Sequence, residues 1–467
     1  MSTIKVLTPK FLRGGISNAG KLRSLLLIFT ILLLSCAPGA QAKISYEGLL
    51  WTRGTADLRD DHPQEDLFSD HTFFLLQTRF KHKAFDAHLG IKLDRLAYHR
   101  HHRNREETVL LLWETFLRYQ GERWEICLGN QFIRWGKADE ISLLNNLTRQ
   151  DWRELFTLRE EERQRPWPWL RVRYFGSPFT LEGVFTLWPL WPRRKTLASD
   201  WALLDHLKDQ IRKKKGTFSF PLELEKHKPT PSLRNAEFGL RLSGTWQNVD
   251  WALSFLHAHN RAYYYYVRSF PIKGLQIKHP GQPLRDIWGQ ISRLQVVSSK
   301  AQVSYPRDNI FGFSLETTWR GVGLRGEYAF HTDRVFLKKD LTSTKKAYWQ
   351  YVLGLDYQME NGFYLNFQFL QQGIVHYSKK ILFDPRLDSL LFWRLSQGVK
   401  YNLLQLRLDG LYSLRTRSWY LNPEVSYKLR DNLIIFGGLH LLDGPKGTFF
   451  DPFDRNDQFY LGLKYHF

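Results

Sequence analysis

Hydrophobic and polar residues alternate along short segments through most of this 467-residue chain. In the last ten residues, Phe459, Leu461, Leu463, Tyr465 and Phe467 occupy every second position. Alternation with a period of two is typical of a β-strand that has one apolar and one polar face. The pattern therefore predicts a strand at this end of the sequence.

The same alternation recurs in seventeen further segments, the first of them near 44–53. Short turns with Gly, Asn, Asp or Pro separate some neighbouring segments, and mostly longer loops separate the others. Short turns and longer loops alternate along the chain, which is the pattern of an antiparallel meander. Eighteen strands is an even number, so both ends of the meander lie on its short-turn side. The longest loops are predicted at 136–166, 190–233 and 258–300, and another long loop is predicted after Phe330.

Composition indicates where such a meander would be stable. Aromatic residues make up 15% of the chain, yet the mean hydropathy is −0.41 and 24% of the residues are charged. No stretch after the N-terminus is long and apolar enough for a transmembrane helix. Many aromatic residues in a polar chain suit a barrel whose strands alternate lipid-facing and water-facing side chains. The sequence predicts an all-β transmembrane antiparallel barrel of about 18 strands, with short periplasmic turns and long external loops.

The first 42 residues have the composition of a cleaved signal peptide. Five basic residues precede the apolar run 25–34, which is too short to span a bilayer comfortably. Ala40-Gln41-Ala42 then offers a small-x-small cleavage site. A competing interpretation is a lipoprotein signal at Leu33-Leu34-Ser35-Cys36. We expect residues 1–42 to be removed and residues 43–467 to form the barrel in the cell outer membrane of a Gram-negative bacterium.

Removal of this segment changes the charge and the cysteine count. The formal net charge falls from +21 to +16, because residues 1–42 carry five basic and no acidic side chains. Cys127 becomes the single cysteine. An exported chain with one thiol has no intrachain disulfide, so its stability must come from other interactions.

The segment 124–183 resembles a family of proteobacterial outer-membrane, porin-like β-barrels of unassigned function. The resemblance rests on Trp124–Gly136, which leads into Trp-Gly-Lys-Ala-Asp, on Asn145–Thr148 with Asp151, on Glu160–Glu162, and on Leu181-Glu182-Gly183. More distantly the chain is similar to the alginate-export barrels, which are eighteen-stranded and basic inside. The resemblance implies a fold and a compartment, and it carries over no substrate-contacting residue.

If the large apolar side chains face lipid, the alternate residues of each strand face a water-filled lumen. Those residues carry both signs with a basic bias, so we expect the lumen to favour anions. In an alternative interpretation the same charges only solvate the interior and pair across strands. The predicted pore-lining residues are Lys92, Arg171, Arg173, Arg241, Glu316, Arg325, Glu327, Lys400, Arg407 and Asp409.

Three loop features admit both a functional and a structural interpretation. His99, His101 and His102 resemble a metal cluster, but neighbouring arginines oppose a cation and favour a solvated loop. Tyr263–Tyr266 would stack on sugar rings or pack at the barrel rim. Helical spacing at 199–211 predicts a short amphipathic helix, either packed on the rim or acting as a gate. We expect no catalytic, cofactor or metal site.

The final strand also resembles the C-terminal signal that the outer-membrane barrel assembly machinery recognises. The matching residues are Tyr460, Gly462, Tyr465 and Phe467. A strand that ends on an aromatic residue at the membrane interface suits the last step of barrel closure. We expect loss of Phe467 to leave export intact and to impair insertion.

Together these features predict a channel or exporter for small polar or anionic solutes, acidic saccharides among them, rather than an enzyme. The alternative is a barrel sleeve of an electron-transfer conduit, in which a partner cytochrome would carry the haem because this chain has no haem-attachment cysteine pair. The expected partners are the outer-membrane lipid bilayer, the assembly machinery and a small solute. A periplasmic partner is left open, and export excludes nucleic acid.

Overall fold

Eighteen antiparallel strands form a closed barrel in the computed structural model. The structure describes residues 43–59, 66–100, 104–154, 160–192, 201, 223–261, 266–270, 272–273, 295–296, 300–446, 448, 450–454 and 456–467. The predicted signal peptide and the predicted helix at 199–211, apart from Trp201, lie outside the described residues.

The barrel strands follow one another around the wall in chain order. They are β1 Lys43–Asp57, β2 Asp66–His82, β3 Phe85–Arg100, β4 Arg105–Gln120, β5 Trp124–Gln131, β6 Trp167–Phe175, β7 Phe179–Thr186, β8 Glu237–Trp246, β9 Val249–His259, β10 Arg307–Trp319, β11 Val322–Leu337, β12 Ser343–Gln358, β13 Phe363–Ile374, β14 Leu387–Val399, β15 Leu404–Ser413, β16 Trp419–Arg430, β17 Leu433–Asp443 and β18 Gln458–His466.

Strand β1 closes the barrel by pairing with both β2 and β18. Trp51 lies opposite Phe73 on one side and opposite Lys464 on the other. Every strand therefore has two hydrogen-bonded neighbours, and the barrel has no free edge. The predicted fold class and strand number are confirmed.

The two faces of each strand differ as the alternation predicts. Leu240, Leu253, Leu353 and Leu461 are each more than half exposed on the outer wall. Direct cross-strand neighbours share a face, as Leu240 on β8 and Phe255 on β9 do. The outside of the barrel is therefore a continuous apolar surface, and the inside carries the polar residues.

Short turns close one end of the barrel. Several place a residue in the left-handed region, with φ values of 49° at Lys83 and 53° at Gln247, and Gly362 has a φ of 84°. Such conformations match the twist of two-residue hairpins, and glycine reaches them without steric cost. The last residues of the chain lie at this same end.

One predicted loop is shorter than the sequence suggests. Strand β11 continues to Leu337 and β12 begins at Ser343, so only 338–342 connect them. The prediction of a long loop here is wrong. Val335, Phe336 and Leu337 are all buried at this strand end, so apolar residues occupy consecutive positions and the alternation disappears although the backbone hydrogen bonds continue.

The large loops at the other end carry small elements of their own. Glu223–His227 runs parallel to Lys300–Ser304, which also pairs with Tyr266–Ser269. A single helical turn spans Glu160–Arg163. In the part of the chain that the structure describes, no helix is long and apolar enough to cross a membrane.

Candidate functional site

The loop 132–166, between β5 and β6, enters the barrel and crosses it. Trp135 Nε1 donates to Glu182 on β7 over 2.7 Å, and Asp139 accepts from Arg325 on β11 over 2.7 Å. Further along the loop, Glu154 accepts from Arg53 on β1 over 2.9 Å. Strands β1 and β11 lie on nearly opposite sides of the ring of eighteen strands. The loop therefore divides the lumen.

A buried carboxylate on β11 holds the first half of this loop. Glu327 is 3% exposed, and it accepts backbone N–H groups of Lys137, Ala138 and Leu143 over 2.5 to 2.7 Å. The hydroxyl of Ser142 donates to the same carboxylate over 3.1 Å. These bonds replace the water that a buried carboxylate would otherwise lose, so the loop backbone wraps around one charge.

A network of charges holds the second half of the loop. Arg153 donates to Asp94 on β3 and to Asp151, both over 2.9 Å. Arg165 donates to Asp151 over 2.6 Å and to Asp94 over 3.1 Å. All four side chains are buried. A buried ion network of this kind is costly to open, because removal of one member leaves its partners unpaired.

Glu154 links this network to the β1–β2 wall. Its carboxylate accepts from Arg53 over 2.9 Å and lies 2.8 Å from His71 Nδ1. Burial alone would raise the pKa of the Glu154 carboxyl, but the attraction of Arg53 and then of His71 outweighs burial and lowers the pKa to about 2. Glu154 is therefore ionised near neutral pH.

Apolar side chains seal the loop against the β6–β13 half of the wall. Trp135, Leu144 and Leu147 of the loop belong to one buried cluster with Trp169 and Leu256 of the wall. Protein interiors of this kind are close-packed, so little free space remains between loop and wall. On this side of the barrel, the loop and the wall therefore share one apolar core.

Most of the predicted pore-lining arginines have carboxylate partners. Arg171 lies 2.7 Å from Glu182, and Arg173 lies 2.5 Å from Glu125. Arg407 lies 3.1 Å from Glu424 and also approaches the predicted residue Asp409, at 3.4 Å. Arg325 pairs with Asp356 and, over 3.1 Å, with the predicted residue Glu316. Cross-strand pairing thus neutralises much of the expected basic bias.

Lys92 is paired in a different way. Its side chain is buried, and its Nζ lies 3.6 Å from the ring centre of Phe73 and 4.3 Å from that of Trp113. Asp94 is 3.7 Å away. Lys92 therefore belongs to the charge network under the loop rather than to an open water-lined surface.

Lys400 requires a correction. The residue is not in a strand but in the turn after β14, and its side chain is exposed. Lys400, Tyr401 and Asn402 have φ values of 50°, 57° and 64°. Three successive left-handed residues end the ladder, although the apolar alternation continues through Tyr401. Lys400 lies at the mouth of the short-turn end.

Arg241 is the predicted arginine without a partner. It lies on β8 opposite Glu182 of β7, but Glu182 already accepts from Trp135 with one oxygen and from Arg171 with the other. Within the described residues, Arg241 forms no hydrogen bond or salt bridge. Its guanidinium thus has no directly bonded carboxylate on the inner wall, and Glu182 attracts it only from a longer distance.

Sequence reasoning missed the residues that fix the inward loop. Arg394 had a signal, since it alternates with the outward residues Trp393 and Leu395; it pairs with Glu140 of the loop and, over 2.6 Å, with Asp409. Asp94 follows the same rule on β3. The loop residues Asp151, Arg153 and Glu154 follow no periodic pattern, so nothing local in the sequence marks their partners.

The remaining sequence features have structural roles where they are described. His99 Nε2 lies 2.9 Å from Asp70, and His101 and His102 lie outside the described residues. Of Tyr263–Tyr266, only Tyr266 is described, in a loop strand. Cys127 is buried. Among the described ranges, no group of three His, Cys, Asp or Glu side chains could hold a metal ion.

The residues of the predicted assembly signal occupy both faces of β18. Tyr460 is buried on the inner face, where its hydroxyl donates to Glu424 over 2.9 Å. Tyr465 and Phe467 are exposed on the outer face, and Phe467 stacks on Phe74 with ring centres 5.7 Å apart. Gly462 faces inward, directly beneath the ring of Phe436.

Solved structures of outer-membrane proteins resemble this chain over 91% of its length. Salmonella typhi OmpF, in complex with daunomycin, is 11% identical with a TM-score of 0.42 and 98% of its chain covered. Vibrio cholerae OmpT lacking loop L8 is 9% identical with a TM-score of 0.41, and Acinetobacter baumannii OccAB3 is 8% identical with a TM-score of 0.43; 99% of each is covered. No protein-family model and no curated protein matches the sequence. These low values carry no function over to the chain.

Proposed function

We propose that this protein is an outer-membrane channel for small polar solutes, with a preference for anions. The observation that carries the proposal is the closed barrel, which is apolar outside and charged inside. A closed ring of strands satisfies all of its backbone hydrogen bonds internally, as a membrane interior requires. The exposed apolar outer wall would be an aggregation surface in water and is stable in lipid.

The inward loop supports a limit on solute size. Loop 132–166 joins opposite walls, and its apolar cluster fills the β6–β13 side. A barrel of eighteen strands without such a loop would leave a wide aqueous channel. The remaining passage is narrower, so small solutes are expected to pass and large ones to be excluded.

Arg241 supports the anion preference. Its guanidinium faces the lumen without a directly bonded carboxylate, whereas the other predicted arginines on barrel strands share their charge with carboxylates. A fixed charge between low-dielectric walls concentrates ions of the opposite sign. Acidic saccharides are one class of small anion that such a channel would attract.

Planar-bilayer recording with purified protein tests both statements. Stepwise conductance in symmetric KCl is expected, and a KCl gradient should give a reversal potential on the anion-selective side. Absence of any conductance at high protein density would overturn the channel. A reversal potential of the opposite sign would overturn the anion preference alone.

The loop argues against the sleeve interpretation. A partner cytochrome inside the barrel would have to displace a loop that is bonded to Glu327 on one wall and to Arg53 and Asp94 on the other. Rupture of a buried charge network carries a large free-energy cost. We therefore propose a channel and not a protein-encasing sleeve.

A further inference from the structure

Four adjacent strands, β6 to β9, form an arginine-bearing patch on the inner wall near the short turns. Arg171 and Arg173 lie on β6, and Arg241 lies two strands away on β8. In register, Arg173 faces Glu182 of β7, and Glu182 faces Arg241. The three guanidinium groups therefore surround one carboxylate.

The carboxylates of this patch are already committed. Glu125 binds Arg173, and the two oxygens of Glu182 are occupied by Trp135 and Arg171. Three arginines and two carboxylates leave one net positive charge. That charge lies on Arg241, which forms no salt bridge within the described residues.

The patch is roofed on the side of the external loops. Trp135 is 3% exposed, and a Cβ added at Gly239 would lie 2.6 Å from its Cη2 atom. Gly239 is the next inward-facing residue above Arg241 on the same strand. The indole ring, with Val184 and Leu256 of the apolar cluster beside it, closes the space above Arg241.

The patch opens on the opposite side, toward the short turns. Along β6 the exposed fraction of the inward side chains rises from 1% at Trp169 to 21% at Arg171 and 25% at Arg173. Along β8 it rises in the same direction, from the buried Glu237 to the half-buried Arg241 and the exposed Thr245. The space is therefore a recess with one mouth.

Hydroxyl groups line the rest of this recess. Ser254 of β9 lies opposite Arg241, and Ser243 follows Arg241 on the same face of β8. Both serine side chains are half-buried.

We propose that this recess binds an oxyanion group, carboxylate or phosphate, of a solute that arrives from the periplasm. Arg241 supplies two donors in a plane that matches such a group, and the serine hydroxyls supply further donors. The roof separates the site from the external medium. The direction of access rests on the proposed function, since short turns face the periplasm in a barrel of this kind.

The recess predicts that binding depends on Arg241 and not merely on the charge at that end of the barrel. Inorganic phosphate and succinate serve as probes, with equilibrium dialysis of the purified full chain in detergent at low ionic strength. Arg241→Gln should weaken binding about tenfold, because a charge-assisted bond is lost. Arg79→Gln is the matched control. It removes one positive charge near the short-turn end of the barrel but outside the recess, and Arg79 has its own partner, Asp86.

Equal weakening by the two variants, or no probe binding to the wild type, would overturn the site. The two probes distinguish a phosphate from a carboxylate ligand. Binding of both shows that the site recognises any oxyanion. Binding of only one assigns that group to the site, provided that Arg241→Gln abolishes the binding. Binding without any bilayer conductance would overturn the channel and leave the recess standing. Conductance without Arg241-dependent binding would do the reverse.

The single mouth gives a second test. In bilayers with oriented protein, phosphate on the short-turn side should reduce the current at lower concentrations than phosphate on the loop side, which must first cross the channel. Trp135→Ala removes the roof and should make the block equal from both sides, and retained heat-modifiable mobility on gels would show that the variant folds. Equal block of the wild type from both sides would overturn the roofed geometry.

Discussion

Glu327 is a buried carboxylate whose hydrogen-bond donors come from the inward loop. Its carboxylate is nearly inaccessible, yet it is surrounded by three backbone N–H groups and a hydroxyl from the loop. The ordinary alternation of β11 predicts that residue 327 faces inward. The loop, by placing its amides there, makes that carboxylate an anchor.

Glu327→Gln is expected to loosen the loop while keeping the side-chain size. The neutral amide accepts fewer and weaker bonds, so the loop should lose about 1–3 kcal/mol of anchoring. Single-channel recording should show a larger or noisier conductance, and a protease should cut within 137–143 sooner. Glu316→Gln is the control, because the half-exposed Glu316 contacts the loop only through Lys137. Equal effects of the two variants would contradict the anchoring role.

Asp384, in the loop 375–386 at the long-loop end of the barrel, predicts a pH dependence of local stability. Burial raises the pKa of its carboxyl to about 6; Arg334 opposes the shift and Asp388 adds to it. The folded loop therefore holds the proton more tightly than the unfolded chain. This contribution is fully present below the unfolded pKa near 4 and is lost as the pH rises through 6, at a cost of at most about 3 kcal/mol.

The loop should accordingly exchange its amide hydrogens more slowly at pH 5 than at pH 7.5, after correction for intrinsic exchange. The amides of Ile381 and Leu382 are suitable probes, since both residues are buried and both amides donate to backbone carbonyls, Ile381 to Ser378 and Leu382 to Leu337. Asp384→Asn should remove most of the pH dependence. An unchanged pH profile in that variant would refute the assignment to Asp384.

At the scale of elements, the pairing of β18 with β1 shows how one aromatic residue completes a strand. Phe467 exchanges two backbone hydrogen bonds with Gly48, over 2.8 and 3.0 Å. Its ring covers Gly48, where a side chain would collide with it, and stacks on Phe74. An aromatic ring thus fills the space that the glycine leaves open.

Phe467→Ala should slow or reduce barrel closure without affecting export. The loss comprises the aromatic stack, worth about 0.5–1.5 kcal/mol beyond its buried area, and the cover over Gly48. Membrane fractions should contain less heat-modifiable barrel, with the chain accumulating in the periplasm. Phe459→Ala, on the outer face of the same strand, is the control. Normal folded yield for Phe467→Ala would contradict both the packing role and the assembly-signal proposal.

At the scale of the whole molecule, loop 132–166 occupies part of the barrel lumen and would set the size of the proposed channel. Replacement of 137–147 by a short Gly-Ser link removes the bonds to Glu327 and the central part of the apolar cluster. Conductance should rise by roughly twofold or more, toward that of an open eighteen-stranded barrel. Uptake of larger sugars into proteoliposomes should rise in parallel. The same replacement in 375–386 should leave conductance unchanged; an equal rise there would show that 137–147 does not set the passage.

The sequence alone determined the number of strands, their order and the face of most strand residues. These follow from local properties, since the period of two is set by the pleat and each short turn by its own residues. Even Arg394, which the sequence reasoning did not select, follows from its place between Trp393 and Leu395. Lys400 was misplaced because its turn adopts left-handed angles that apolar alternation does not reveal.

Only the tertiary structure decided what fills the lumen and which inner charges remain free. Lys137 meets Glu327 and Arg153 meets Asp94 across 190 and 59 positions of sequence. Such pairs arise because barrel closure brings opposite walls within reach of one loop, and no periodic pattern encodes that approach. The free charge of Arg241 has a similar origin. Arg171 reaches Glu182 from the neighbouring strand, and Trp135 occupies the other oxygen only once the loop has folded inward.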